Sequence, residues 1–357
     1  LKKNKVNFFT GVPDSVLKLF LKKLSKLNKE SHVEVFNEGS AVSTAIGYYL
    51  ATKKIPCVYF QNSGLGNAIN PLISIAHSKV YSIPLLLLIG WRGSPYRLKD
   101  EPQHNQKGII TRTILKLMGI KNIVIRSEKN LIQVSNLIRE AKKTNKPVAV
   151  LIENKTFFEI QKKENKYKKN NNGIKREFFI NHLLNNIKRN TKIVSTTGYT
   201  SRELYQIRKN QNWNRGDDFY MVGGMGHSLM VSLGYCLKKK NETLCLDGDG
   251  SILMHMGGMR SAGIFAKKNL KHVIFNNYCH ESVGGQKTYS EGLNFRKVAR
   301  ELGYKYTDQI LNQNNIEKKI KKFLNSKGPS LIEVLTKTGT LKNLKRPNNF
   351  IEIKKNF

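Results

Sequence analysis

The chain has 357 residues, of which 39% are hydrophobic, and this length suits two ordinary domains of roughly 100–200 residues each. The longest apolar run, residues 83–89, is far shorter than the roughly 20 residues that a membrane helix needs. No apolar signal core follows the basic N-terminus, so a cytoplasmic location without a membrane partner is expected.

The formal net charge of +37 raises the question of a nucleic-acid partner. Sequence-specific readers of nucleic acid concentrate Arg and aromatic residues on one element, whereas the basic residues here are mostly Lys and occur throughout the chain. We therefore expect no nucleic-acid partner. The positive field would still attract small anionic substrates.

Short apolar, β-branched runs alternate with helical patterns along the whole chain. Such alternation is typical of parallel sheets covered by helices on both faces, so the sequence predicts two three-layer α/β domains. A Lys/Asn-rich stretch, residues 161–175, predicts a linker between domains 1–160 and 176–357, with no third domain between them. The predicted strands are residues 56–60, 85–89, 121–125, 148–152, 193–196, 243–246, 273–275 and 331–335.

Two acidic residues lie at strand-to-helix corners of the predicted first domain. Asp14 follows a turn with glycine and proline and can cap the next helix, so capping and catalysis are both open for it. Glu38 follows Asn37 and opens a helix of small residues. An acid in a first helical turn gains about 0.3–1 kcal/mol from the helix dipole, so a structural role is also open for Glu38.

Two further loops of this domain are rich in glycine and polar residues. Residues 61–71 follow a predicted strand, at the edge where α/β proteins bind ligands, but they match neither a dinucleotide fingerprint nor a P-loop. The second loop contains Arg92, which can clamp an anion, and His104, which we expect to titrate near neutrality. A solvated role for His104 is equally open.

The predicted second domain contains the turn Asp-Gly-Asp-Gly-Ser over residues 247–251, directly after a strand. Gly248 and Gly250 allow a phosphate to approach the backbone closely, and Asp249 offers a hard oxygen to a divalent cation. One crossover later, Asn277 offers a second oxygen at the same sheet edge. Alternatively, the turn only closes a strand-to-helix corner. The following loop, residues 277–288, has the glycines, hydroxyls and donors to close over an anion.

A Gly-Asp-Gly turn followed one crossover later by Asn-Asn resembles the cofactor motif of thiamine diphosphate enzymes. The resemblance implies thiamine diphosphate and Mg²⁺ as cofactors. The implied metal ligands are Asp249, the side chain of Asn277 and the main-chain carbonyl of Cys279. The other implied cofactor-binding residues are Glu38, which hydrogen-bonds the aminopyrimidine, Met225, which wedges between the two rings, and Gly224, Gly248, Gly250, Ser251 and Asn277.

From end to end, the motifs resemble those decarboxylases of this family that act on 2-oxo acids bearing a phosphonate or a sulfonate. The single chain favours the phosphonate; the sulfonate or another 2-oxo acid is the alternative, and a non-catalytic basic binding or assembly protein is a candidate from another class. The resemblance also implies a homodimer or higher homo-oligomer, with the active site at the subunit interface. The implied catalytic residues are Glu38, Asp14, His104 and His280, and the implied substrate residues are Arg92, His104, Ser282 and Lys287.

Overall fold

A computed structural model describes residues 1–96, 100–127, 130–154, 156, 170–210 and 218–357. The chain divides into two compact units, Leu1–Asn165 and Lys166–Phe357. None of the helices in these ranges is long and apolar enough to cross a bilayer.

The first unit is a six-stranded parallel sheet with helices on both faces, in the order β2-β1-β3-β4-β6-β5. Alternate residues of β3 enter different clusters: Val58 and Phe60 pack on one face, Cys57 and Tyr59 on the other. Both faces are therefore covered. The strands are β1 (Phe9–Gly11), β2 (His32–Glu34), β3 (Cys57–Gln61), β4 (Leu86–Trp91), β5 (Lys121–Ile125) and β6 (Val148–Glu153). The helices are α1 (Lys18–Leu24), α2 (Glu38–Thr52), α3 (Leu65–Pro71), α4 (Pro102–Leu117) and α5 (Leu131–Thr144).

The second unit is a six-stranded parallel sheet in the order β13-β14-β10-β9-β7-β8, with a separate two-stranded hairpin, β11-β12. Two apolar clusters again flank the sheet: Leu246 packs on one side of β9 and Cys245 on the other. The strands are β7 (Lys192–Ser195), β8 (Phe219–Tyr220), β9 (Thr243–Gly248), β10 (Leu270–Asn276), β11 (Cys279–His280), β12 (Gln286–Lys287), β13 (Tyr306–Ile310) and β14 (Ser330–Leu335). The helices are α6 (Arg176–Asn186), α7 (Tyr199–Asn210), α8 (Ser228–Lys238), α9 (Asp249–Met254), α10 (Gly257–Phe265), α11 (Phe295–Glu301), α12 (Ile316–Asn325) and α13 (Phe350–Asn356).

The two large sheets share one topology. Read from β8, the second sheet has the order β8-β7-β9-β10-β14-β13. Numbered in chain order without the hairpin, these strands run 2-1-3-4-6-5, which is the order of the first sheet. In both sheets the order reverses beside the first strand, between β1 and β3 and between β7 and β9, and α/β proteins bind ligands at such switch points. The predicted α/β class, with two parallel sheets of three layers, is confirmed, and all eight predicted strands are present, with ends within three residues of the prediction.

The predicted linker falls partly on residues 161–169, which lie outside the described residues. Its remaining residues, 170–175, are attached to the second unit. Asn170 Nδ2 donates to the carbonyl oxygen of Thr336 over 2.9 Å, and buried Ile174 forms a β-bridge with Thr336. The division between the two units lies at residues 165 and 166, close to the start of the predicted linker.

Candidate functional site

The Gly-Asp-Gly turn joins buried strand β9 directly to helix α9. Gly248 is the extended N-cap residue, and Asp249 is the first helical residue, with 4% of its surface exposed. A Cβ on Gly250 would lie 2.5 Å from His280 Cε1 and 3.0 Å from Thr288 Cγ2. Glycine is therefore required at position 250, because the loop after β10 packs directly over the turn.

Asp249 lies in a cradle of hydroxyl groups. Thr288 Oγ1 and Ser290 Oγ donate to Asp249 Oδ2 over 2.5 and 2.8 Å. Burial raises the pKa of Asp249, and the two hydroxyls, with the amides of Gly250 and Tyr278, act in the opposite direction. Among the groups that shift this pKa within the described residues, none is a cation.

Asn276 and Asn277 end β10 beside this turn. Asn276 Nδ2 donates to buried Glu333 over 2.9 Å, and its Oδ1 accepts from Ser290 Oγ over 2.9 Å, so Ser290 bridges Asn276 and Asp249. Asn277 is 6% exposed, and its Oδ1 accepts from the amide of Cys279 over 3.2 Å. The neighbouring Tyr278 has a φ of 64°, which turns the chain back toward Asp249.

These groups fit a divalent cation of the Mg²⁺ type. The implied donors, a carboxylate, an amide oxygen and a main-chain carbonyl, are all hard oxygens, which such a cation prefers. Burial without a cationic partner raises the pKa of Asp249, and a bound cation would reverse that shift because it favours the charged carboxylate. The thiol of Cys279 takes no part, because burial raises its pKa to about 12 and keeps it protonated.

The glycine turn that carries Met225 is tied to the first turn of α9. Gly224 and Gly226 have φ values of 64° and 88°, which favour glycine. The amide of Gly226 donates to Ser251 Oγ over 3.0 Å, and Ser251 Oγ is 2.9 Å from Thr196 Oγ1 at the end of β7. Ser251 therefore joins three loops at the switch point, while Met225 is half-buried at the turn.

A buried polar pair that the sequence did not single out lies beneath the turn. His272 Nε2 is 3.7 Å from Asp247 Oδ2, and His272 Nδ1 is 3.1 Å from the hydroxyl of Tyr304. Burial would raise the pKa of Asp247, but His272, Ser251 and the amide of Gly248 outweigh burial, and the net direction is down. Asp247 Oδ1 accepts from that amide over 2.9 Å, so the pair supports the backbone of the turn.

In the first unit, Glu38 is the first residue of α2, directly after its N-cap residue, Asn37. Glu38 is 5% exposed, and Asn67 Nδ2 donates to its Oε2 over 2.7 Å. A Cβ on Gly64 would lie 2.1 Å from Glu38 Oε1, so only glycine leaves room for this carboxyl group. Burial raises the pKa of Glu38, against the opposing hydrogen bond from Asn67.

Asp14 acts as a cap in this structure. Its Oδ2 accepts from the amides of Val16 and Leu17 at the entry to α1, and Gln61 Nε2 donates to its Oδ1 over 2.7 Å. Asp14 is 1% exposed, and burial raises its pKa. A Cβ on Gly90 would meet Asp14 Oδ2 at 1.9 Å, so the carboxyl group lies directly against the end of β4.

Arg92 forms a two-point ion pair with Asp100: Nε and Nη2 lie 2.6 and 2.5 Å from the carboxylate oxygens. Its predicted role as an anion clamp therefore requires competition with a carboxylate already in place. His104 does not titrate near neutrality as expected. Burial first, and then Arg92, lower the pKa of His104 to about 4, so its imidazole is neutral at pH 7.

The predicted residues of the β11–β12 hairpin fall into two groups. His280 packs against Gly250, and burial lowers the pKa of His280 to about 4. Ser282 and Lys287 are exposed. The first unit thus brings together Asp14, Gln61 and Arg92. In the second unit, His280 and the amide of Tyr278, next to Asn277, lie at the Asp249 turn, and the Met225 turn is tied to the same helix through Gly226 and Ser251.

The chain matches the two domains of one enzyme family over most of its length. Residues 1–109 match the thiamine pyrophosphate enzyme, N-terminal TPP binding domain, and residues 194–334 match the C-terminal TPP binding domain. Phosphonopyruvate decarboxylases from Streptomyces viridochromogenes and Streptomyces hygroscopicus are 31% and 30% identical, over 96% of this chain and 88% and 87% of theirs. Sulfopyruvate decarboxylase from Methanosarcina acetivorans is 27% identical over 92% of this chain and 87% of its own.

The two domain matches and the near full-length similarity agree with two α/β units that bury Glu38 and Asp249 at helix starts. The chain is a carbon–carbon lyase that uses thiamine diphosphate, and it belongs to the thiamine pyrophosphate enzyme family, among the 2-oxo acid decarboxylases.

Proposed function

We propose that the chain catalyses the Mg²⁺-dependent decarboxylation of 3-phosphonopyruvate to phosphonoacetaldehyde and CO₂, in phosphonate biosynthesis. The substrate is taken from the two Streptomyces relatives, which match nearly the whole chain. The observation that carries the proposal is buried Asp249 in its cradle of Thr288 and Ser290, with Asn277 on the adjoining loop. This set of oxygen donors suits a cation bound to a diphosphate.

When bound, thiamine diphosphate supplies a carbon nucleophile and an electron sink for the departing CO₂. Glu38 holds a proton for the pyrimidine ring. Because burial raises its pKa, Glu38 stays protonated to a higher pH than an exposed glutamate and can share that proton with a ring nitrogen. Asn67 orients the carboxyl group by its bond to Oε2.

Asp249, the amide oxygen of Asn277 and the carbonyl oxygen of Cys279 would hold Mg²⁺ in the second unit. Met225, on the turn that Gly226 ties to Ser251, would pack against the rings of the cofactor. Gly224, Gly248 and Gly250 allow close backbone approach and belong to the same proposal. The buried pair Asp247 and His272 supports the backbone of the Gly-Asp-Gly turn and is not among the proposed metal ligands.

The phosphonate of the substrate needs donors and positive charge. Lys287 and Ser282 are exposed on the loop that follows Asn277, so an ammonium and a hydroxyl group are available there. Arg92 already pairs with Asp100 through Nε and Nη2, which offsets part of its charge at this place. His104 and His280 are neutral at pH 7 and would act as hydrogen-bond partners of the substrate.

Asp14 is the remaining acidic candidate for proton transfer, although its carboxyl group already caps α1. A homodimer or larger homo-oligomer belongs to the proposal, since family members bind the pyrimidine and the diphosphate on different subunits. A cytoplasmic location also remains a prediction.

A steady-state comparison of 3-phosphonopyruvate, sulfopyruvate and pyruvate, with Mg²⁺ and thiamine diphosphate present, tests the substrate. We expect kcat/KM for phosphonopyruvate to exceed that for pyruvate at least on the order of 100-fold, because a pocket built for an anion leaves polar groups unpaired when the anion is missing. A preference for sulfopyruvate would replace the phosphonate substrate with the sulfonate.

The candidate from the other class, a basic protein without catalysis, makes different predictions. It would release no CO₂ from any of the three acids. It would bind a polyanion such as heparin with an affinity that falls steeply as salt is added. An enzyme with a small anionic substrate should release CO₂ from its substrate and has no need to bind heparin.

A further inference from the structure

Glu281 lies four residues after the metal-ligand candidate Asn277 and contacts its side chain. Asn277 Nδ2 donates to Glu281 Oε2 over 3.2 Å. The side chain of Glu281 is 18% exposed, so this contact is largely shielded from water. The sequence did not single out Glu281, because a spacing of four positions in a loop says nothing about contact.

The contact decides which way the amide of Asn277 points. A carboxylate accepts hydrogen bonds and cannot donate them, so it selects the NH₂ end of a neighbouring amide and repels the oxygen end. The oxygen of Asn277 is thereby directed to the opposite side, where it accepts from the amide of Cys279 over 3.2 Å. A metal ion can use the oxygen end of an amide as a ligand, but never the NH₂ end.

Glu281 is itself held from the other side. Its Oε1 accepts from the amide of Gly339, in the segment after β14, and Arg176 Nη2 is 3.9 Å from its Oε2. Both carboxyl oxygens of Glu281 therefore act as acceptors, Oε1 from Gly339 and Oε2 from Asn277. Arg176 also binds Glu203, with 2.6 Å between Nε and Oε2, and has 6% of its side chain exposed.

We infer that Glu281 is a positioning residue for the metal. Glu281 orients the side-chain amide of Asn277 so that the amide oxygen can bind the metal. Through its own contacts, Glu281 also links Asn277 to Arg176 and to the segment after β14. The inference rests on the proposed function, because it requires Mg²⁺ to bind Asn277 in the presence of thiamine diphosphate.

Glu281→Gln removes the charge at nearly constant size, so the new amide can pair with either end of Asn277. We expect the affinity for Mg²⁺ to fall about 10- to 100-fold, the usual effect of losing a group that orients a metal ligand. The readout is calorimetric titration of Mg²⁺ into protein saturated with thiamine diphosphate. Glu203→Gln is the matched control, because Glu203 shares Arg176 but not Asn277; it should lower Tm and leave the Mg²⁺ affinity within about 3-fold.

A second variant separates orientation from general damage to the loop. In the Glu281→Gln background, Asn277→Asp makes both ends of side chain 277 oxygen, so orientation no longer matters and the amide introduced at position 281 can donate to either end. We expect this double variant to recover most of the Mg²⁺ affinity. Unchanged affinity in Glu281→Gln, or no recovery in the double variant, would overturn the positioning role and leave the proposed function standing. If the native protein bound no Mg²⁺ with thiamine diphosphate, both would fall.

Discussion

The two units place a buried carboxyl group at corresponding kinds of position and surround it differently. Glu38 opens α2 and Asp249 opens α9, each in a parallel sheet of the same topology, and they are 5% and 4% exposed. Burial raises the pKa of both. Glu38 receives one side-chain hydrogen bond, from an amide, whereas Asp249 receives two, from hydroxyls.

The side chains around each carboxyl group differ, and this difference divides the chemistry between Glu38 and Asp249. With one side-chain donor, Asn67, and its own backbone amide, Glu38 is suited to keep and share a proton. With two hydroxyls and two amides directed at it, Asp249 is suited to stay ionised beside a cation, since donors favour the charged form. The effect of a substitution at one carboxyl group can therefore be compared with the effect of the matching substitution at the other.

The largest effect is expected for Asp249→Asn. The variant keeps an acceptor for Thr288 and Ser290 but loses the charge, so the affinities for Mg²⁺ and thiamine diphosphate should fall together, at least on the order of 100-fold. Calorimetric titration of each measures this loss. Asp308→Asn, in β13 of the same unit, is the control and should bind both normally. Unaltered affinities in Asp249→Asn would remove Asp249 from the metal site.

The next effect is expected for Glu38→Gln. The amide can still pair with a ring nitrogen but cannot exchange a proton in the same way, so turnover should fall about 10²–10⁴-fold, the usual contribution of a positioned acid or base. Binding of thiamine diphosphate should change only a few-fold. Glu140→Gln, at a half-buried residue paired with Lys121, should be indistinguishable from the native protein. Normal turnover in Glu38→Gln would exclude the assigned role.

Stability against pH should distinguish the two carboxyl groups more subtly. When folding raises the pKa of an acid, the folded state binds more protons than the unfolded state. Stability is therefore lost as the pH rises above the pKa of the unfolded state. That pKa is 4.5 for Glu38 and 3.8 for Asp249. Without cofactor, both amide variants should therefore gain stability relative to the native protein as pH rises from about 4 to 8, at no more than about 1.4 kcal/mol per pH unit.

Added Mg²⁺ and thiamine diphosphate should abolish this relative gain for Asp249→Asn, because the cation compensates the buried charge in the native protein. Mg²⁺ alone should leave the gain of Glu38→Gln unchanged. Urea unfolding over this pH range measures both differences. A gain of Asp249→Asn that persists with Mg²⁺ and thiamine diphosphate, or a gain of Glu38→Gln that Mg²⁺ alone removes, would contradict this division of the chemistry.

The sequence predicted the elements whose signals are local. Apolar runs marked eight strands, and glycine spacing marked the turn at Asp249. Strands β1, β2, β8, β11 and β12 were missed because two or three residues carry no pattern, and β13 was missed because three consecutive polar residues, 307–309, interrupt any apolar run. Local pattern thus finds the longer apolar strands and misses the short or polar ones.

The surroundings of each candidate could not be predicted, because they come from distant parts of the chain. Thr288 and Ser290 reach Asp249 across 39 and 41 residues, and His272 reaches Asp247 across a strand pair. Arg92 was recognisable as a cation, but nothing in the sequence showed that Asp100 already neutralises it. Residue type shows what a side chain can do, and packing decides whether it is available.

The smallest effects are expected from removing one donor on each side. Asn67→Leu deletes the hydrogen bond that lowers the pKa of Glu38, so that pKa should rise further, and Thr288→Val does the same for Asp249. A hydrogen bond to a charged group is worth about 1.5–3 kcal/mol, which sets an upper limit near 10- to 100-fold on either change. Asn67→Leu should displace the pH profile of kcat/KM to higher pH and leave Mg²⁺ binding unchanged. Thr288→Val should instead raise the pH below which protons displace Mg²⁺. Asn67→Leu should therefore change the pH profile alone, and Thr288→Val should change Mg²⁺ binding alone. If either variant changed both measurements, one site rather than two would control them.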